Sequence, residues 1–155
     1  FDACFFCLGV SSMGISKEQY EKLTYDLTLH VAKTLANLNP SMTFCYVSGA
    51  GTDSSEKGKS HWARVKGKTE NDLIKLPFKK VYAFRPGYMQ PTEGLKFTLK
   101  YYRNLSWSYK FLRYCFPSYV STLKEIGQAM ISVVKNGYSK NVLEVKDIVA
   151  LAKQN

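Results

Sequence analysis

The feature that most constrains this chain is the alternation of short apolar runs with long amphipathic segments through its first 85 residues. Residues 3 to 8 form an apolar run closed by Gly9, which reads as a buried strand of a parallel sheet. Ser16 with Gln19 forms a capping box, and Tyr20, Leu23, Leu27, Val31, Leu35 and Leu38 then recur at helical spacing until Pro40 stops the helix. Met42 to Val47 is a second strand-like run, ending in the polar, turn-rich stretch Ser48 to Ser55. A second helix begins near Ser60, carries Trp62, Val65, Lys66, Thr69, Leu73 and Leu76, and closes at Pro77. Val81 to Arg85 is the third strand, running into Pro86-Gly87. Strand, helix, strand, helix, strand is the order of right-handed parallel crossovers in an α/β sheet. The fate of the sheet edge is left open: strands 3 to 8 and 81 to 85 would be exposed to pairing if nothing preceded Phe1.

Beyond residue 90 the pattern changes. Residues 94 to 116 are aromatic and basic, with Leu95, Leu99, Tyr102, Leu105, Tyr109 and Leu112 spaced for one or two amphipathic helices. Thr122 with Glu125 caps a further helix that ends around Gly137. Val142 to Val145 reads as a short edge strand and Asp147 to Lys153 as a last helical turn or two. A length of 155 residues, 45% of them apolar, suits one core. No stretch reaches the roughly 20 uninterrupted apolar residues of a membrane-spanning helix, so a soluble protein is expected. Cys4, Cys7, Cys45 and Cys115 lie mostly in apolar runs, where thiols pack as small hydrophobes, and point to a reduced, cytoplasmic setting. Cys4 and Cys7 form a Cys-x-x-Cys, but no second pair completes a zinc site and no metal is expected.

In an open α/β sheet, ligands bind outside the carboxyl ends of the strands, so the residues just after each strand carry the functional information. These are Leu8-Gly9-Val10-Ser11-Ser12, Ser48-Gly49-Ala50-Gly51 and Arg85-Pro86-Gly87-Tyr88-Met89, all rich in Gly, Ser or Pro. Gly49-Ala50-Gly51 is not the dinucleotide fingerprint: Ser54 stands where its third glycine belongs, and the loop stays polar to about residue 59. Trp62 and Lys66 lie one turn apart on one face of the helix that follows this loop, whereas His30 reads as a flank residue of the first helix.

The run Tyr46-Val47-Ser48-Gly49-Ala50-Gly51, followed by Trp62 to Glu70 and by Phe84-Arg85-Pro86-Gly87, resembles the second half of an atypical short-chain dehydrogenase/reductase. Leu8-Gly9-Val10-Ser11 before the long helix is similar to that family's fourth-strand end. The resemblance implies a Rossmann-like three-layer α/β/α fold with a mostly parallel sheet. Residues 1–90 would be the second half of a domain binding NAD or NADP, and residues 91–155 a mainly helical substrate lobe or lid packed on it. The first strands, the Gly-rich turn and the residue that chooses between NAD and NADP would all lie before Phe1, making this a C-terminal portion. Cofactor contacts fall to Gly9, Val10, Ser11, Ser48, Lys66, Pro86, Gly87 and Tyr88. Catalytic roles fall to Lys66, Ser48 and Trp62.

In that family a lysine holds the nicotinamide ribose and lowers the pKa of a tyrosine, which serves as general acid or base beside the hydride path. Lys66 takes the lysine position, but Trp62 takes the tyrosine position, and an indole N–H donates a hydrogen bond without exchanging a proton near neutral pH. The working hydroxyl is also displaced: Ser48 sits at the strand end, Gly49 follows, and Thr52 is a substitute. The expected protein is thus an oxidoreductase- or epimerase-like binder of altered catalysis, with a small-molecule substrate that the resemblance does not name.

A second reading starts from the net charge of +10. Residues 94 to 124 contain no acidic side chain but carry Lys96, Lys100, Arg103, Lys110, Arg113 and Lys124 among aromatic residues. Such a segment suits a non-enzymatic interaction protein that docks on a membrane surface or a single-stranded nucleic acid. Its periodicity is better matched by an amphipathic helix that buries its aromatic face in the core, with solvated lysines on the far side.

Overall fold

The computed structural model describes residues 1–92 and 109–154. Four parallel strands form the main sheet: β1 (Ala3–Phe6), β2 (Thr43–Val47), β3 (Lys80–Arg85) and β6 (Val142–Glu144), in the order β1-β2-β3-β6. Two further three-residue strands, β4 (Tyr88–Gln90) and β5 (Val120–Thr122), pair with each other in parallel. The helices are α1 (Lys17–Glu21), which passes through a π turn at Lys22–Asp26 into α2 (Leu27–Leu38), then α3 (His61–Ile74), α4 (Tyr109–Cys115), α5 (Leu123–Asn136) and α6 (Val145–Ala152). No helix among the described residues is long and apolar enough to cross a membrane.

Alternation along the strands divides the core in two. Phe6, Phe44, Tyr46 and Val81 face Leu29 and Ala32 of α2 and Leu73 of α3. Cys45, Tyr82, Phe84 and Leu143 face Ile126, Ala129, Met130 and Val133 of α5 and Ile148 and Leu151 of α6. The molecule is therefore an α/β structure whose mostly parallel sheet is sandwiched between two helical layers. Among the described residues, 123–152 supply the helices of the second layer and the fourth strand. Burial on both faces explains why β2 and β3 read as continuous apolar runs.

The edges differ from the sequence expectation. Strand 81–85 is not an edge, because β6 pairs with it from Ala83↔Val142 to Arg85↔Glu144. The run 3–8 is shorter than expected and lies at the rim: pairing stops at Phe6, and Phe5 is exposed. Local signals held where they are self-contained. The capping boxes at Ser16/Gln19 and Thr122/Glu125 both form, and Gly137 ends α5 with φ 71°. A third box forms at Glu144/Asp147.

Candidate functional site at the carboxyl edge of the sheet

Parallel register levels the strand ends. Phe6 pairs with Tyr46, Val47 with Phe84, and Arg85 with Glu144. The segments after these residues, 7–12, 48–58 and 86–88, consequently leave the sheet along one edge. Ala50 N–H donates to the Pro86 carbonyl at 2.8 Å, tying two of those segments together.

Beneath this edge lies a buried polar cluster. Glu70 of α3 is 0% exposed, and its carboxylate accepts Arg85 Nε at 3.0 Å and Arg85 Nη2 at 2.5 Å. Arg85 also reaches Ser54 Oγ at 2.5 Å and Glu144 Oε1 at 3.2 Å. Ser48 Oγ donates to Glu70 Oε1, and Ser48 N–H continues the sheet pairing to the Phe84 carbonyl. One guanidinium and one carboxylate thus join the ends of β2, β3 and β6 to α3 and to the loop above them. Removing one partner of a buried pair of this kind costs about 3–5 kcal/mol, because the other is left as an uncompensated charge.

Helix α3 approaches this loop closely because of Gly67. A Cβ there would stand 1.8 Å from the Asp53 carbonyl oxygen, so only glycine lets the helix backbone pass. Asp53 orders the loop in turn, accepting from Ser55 N–H at 3.0 Å and Gly58 N–H at 2.7 Å. Asn71 Nδ2 donates to the Ser54 carbonyl at 3.0 Å.

Lys66 and Ser48 are brought together, but through a backbone atom. Lys66 Nζ donates to the Ser48 carbonyl, its one hydrogen-bond partner among the described residues. The side chain is half-buried, and burial pushes its pKa down, against the partly compensating pull of the Glu70 carboxylate. An ammonium has three donors, so two remain for a ligand. The Ser48 hydroxyl faces inward and is buried with Glu70. Thr52, the substitute hydroxyl, is also committed, donating to the Gly49 carbonyl at 2.7 Å.

Trp62 lies one turn before Lys66, and its ring edge covers Gly51, where an added Cβ would be 3.5 Å from Cη2. Gly9, Val10 and Ser11 follow β1 on the same sheet edge and are exposed. Pro86, Gly87 and Tyr88 have a structural task of their own. A Cβ on Gly87 would stand 2.2 Å from the Tyr119 carbonyl, and Tyr88 N–H donates to that carbonyl at 2.8 Å as β4 begins. Tyr88 is therefore a strand residue rather than a loop residue.

The sequence assigns no role to Glu70, Glu144 or Ser54, and it marks Arg85 only as the start of the stretch after the third strand. A signal existed: Glu70 falls on the same helix stripe as Ala63 and Leu73, and Arg85 ends an otherwise apolar strand. A lone acid and a lone base on two core-facing elements call for each other. Among the described residues no three His, Cys, Asp or Glu side chains are gathered as metal ligands, and all four cysteines are free. Of the acid-free segment, residues 94–108 lie outside the described residues. In the remainder, Phe111, Tyr114, Phe116 and Tyr119 are exposed, and Arg113 is paired with Glu125 at 2.6 Å. No protein-family model matches the chain, and no curated protein matches it.

Proposed function

We propose that this chain is the C-terminal portion of a Rossmann-type NAD- or NADP-binding protein of the short-chain dehydrogenase/reductase kind, with altered catalysis. The observation that carries the reading is Lys66: a half-buried ammonium held by the Ser48 carbonyl at the carboxyl edge of a parallel sheet, with two donors to spare. Such a group suits the two hydroxyls of a nicotinamide ribose. The β1-β2-β3-β6 order, with the outer edge of β1 unpaired among the described residues, leaves room for the strands that would carry the dinucleotide's phosphates.

On this reading Lys66 positions the ribose and Trp62 borders the nicotinamide. Ser48 contributes its carbonyl rather than its hydroxyl. With an indole in place of a phenol and the Ser48 and Thr52 hydroxyls engaged, these three described residues form no proton relay, which favours cofactor binding over ordinary dehydrogenase turnover. The free thiols fit a reducing, cytoplasmic setting.

Reduced nicotinamide mononucleotide tests the reading on the chain as it stands, because it carries only the half of the cofactor assigned to this edge. Calorimetric titration should show saturable binding that Lys66→Ala weakens by about tenfold, the worth of a charged hydrogen bond. Absence of saturable binding, or binding indifferent to Lys66, would remove the reading.

A second reading has one observation in its favour: of the five described aromatics of this region, Phe111, Tyr114, Phe116 and Tyr119 are exposed and only Tyr109 is partly buried. They suit adsorption of the basic segment 94–124 to an anionic membrane surface. Sedimentation with phosphatidylserine vesicles that falls steeply with added salt supports it, whereas equal retention on single-stranded nucleic acid would assign the segment to that partner.

A further inference from the structure

A cavity of about 300 Å³ is lined by Ser12, Ile15, Ser16, Lys17, Tyr20, His61 and Trp62. Its walls are of two kinds. Ile15, the buried Tyr20 and Trp62 give an apolar and aromatic lining, with the Tyr20 and His61 rings meeting edge to face at 6.1 Å. The polar groups are mostly donors. The Lys17 ammonium makes no ion pair and the Trp62 indole N–H no hydrogen bond among the described residues, and no carboxylate lines the cavity. The Glu18 carboxylate, exposed and not part of the lining, feels Ser16, Lys17 and His61 from beside it. The Ser16 hydroxyl is spent on the helix cap, accepting from Gln19 N–H at 3.2 Å.

We propose that this cavity binds a small monocarboxylate with an apolar, ring-sized body, the body against Ile15, Tyr20 and Trp62 and the carboxylate toward Lys17 and the indole N–H. The volume sits at the lower end of the range for small-molecule pockets, which limits the body to about one ring. A single ammonium matches a single negative charge, whereas phosphate sites draw on several backbone N–H groups or several cations. Trp62 lines the cavity and its ring edge also lies over Gly51, and Lys66 lies one turn further along α3. The ligand would therefore lie beside the edge assigned to the nicotinamide. As the substrate side of that site the assignment rests on the dinucleotide reading, but as a binding site it stands without it.

The test uses sodium benzoate and its neutral isostere benzamide. Trp107→Phe leaves Trp62 as the sole tryptophan, so its emission reports the cavity directly. Benzoate should change that emission saturably, and benzamide should bind several times more weakly. Lys17→Met should weaken benzoate by roughly two- to fivefold, as expected for an exposed ion pair, and leave benzamide unchanged. Lys66→Ala should leave benzoate binding intact while weakening nicotinamide binding by about tenfold, which separates the two readings. Equal binding of both probes, no saturable response to benzoate, or displacement of benzoate by an equal concentration of inorganic phosphate would overturn the proposal. Line broadening of the benzoate proton signals on the unsubstituted chain gives the same discrimination should Trp107→Phe fail to fold.

Discussion

Arg85 grips Glu70 with two parallel donors, Nε to Oε1 at 3.0 Å and Nη2 to Oε2 at 2.5 Å, on a carboxylate that is completely buried. This pair joins α3 to β3, and Ser48, Ser54 and Glu144 hang from it. Arg85→Met should therefore lower unfolding stability by about 3–5 kcal/mol in urea titration, because it strands the Glu70 charge. The double variant Glu70→Met/Arg85→Met should recover a large part of that loss, having removed both charges. A loss below about 1 kcal/mol for the single variant would mean that water reaches Glu70 and the cluster is not sealed.

Two glycines in helices make opposite predictions. Gly67→Ala should destabilise in spite of alanine's better helix propensity, since the new methyl would stand 1.8 Å from the Asp53 carbonyl. Gly127→Ala on α5 meets nothing within 4 Å and should stabilise by about 0.5–1 kcal/mol. Thermal unfolding of both variants decides; a neutral Gly67→Ala would show that the 48–58 loop yields easily.

Asp147 sets an acid limit. Burial alone would raise its pKa, but Lys140, Tyr138 and the Glu144 N–H outweigh it and hold the carboxyl below its usual value. A lowered folded-state pKa means stability that is fully present above the unfolded value, about 4, and is lost as the pH falls through the folded value. Stability should decline over that window, and Asp147→Asn should flatten the decline while lowering stability at neutral pH.

Much of this architecture could be read from local residue patterns. Capping at Ser16 and Thr122 depends on contacts three residues apart, and the central strands announce themselves by burial on both faces. Strands β4 and β5 could not be read in the same way, because three residues carry no period and their pairing joins Tyr88 to Val120 across the chain. The π turn at Lys22–Asp26 likewise leaves no mark in the spacing of apolar residues. At the site, the proximity of Lys66 and Trp62 followed from helix geometry, but the inward turn of the Ser48 hydroxyl did not. That orientation is imposed by Glu70, twenty-two positions later, and only the odd placement of an acid on a buried stripe hints at it.

Lys66 should titrate below an ordinary lysine, since burial disfavours its charged form and Glu70 only partly offsets this. Heteronuclear NMR of the side chain should place its midpoint under about 10.4, and Glu70→Gln should move it lower still. A midpoint at the ordinary value would mean that the ammonium stands free in solvent rather than on the Ser48 carbonyl.

The most direct test of the central claim is energy transfer from Trp62 to reduced nicotinamide mononucleotide in the Trp107→Phe chain. The account predicts saturable quenching of Trp62 with matching nicotinamide emission, shifted to about tenfold higher ligand concentration in Lys66→Ala and unshifted in Ser48→Ala, where the carbonyl remains. Undiminished Trp62 emission at saturating ligand, or a transfer curve unmoved by Lys66→Ala, would contradict it.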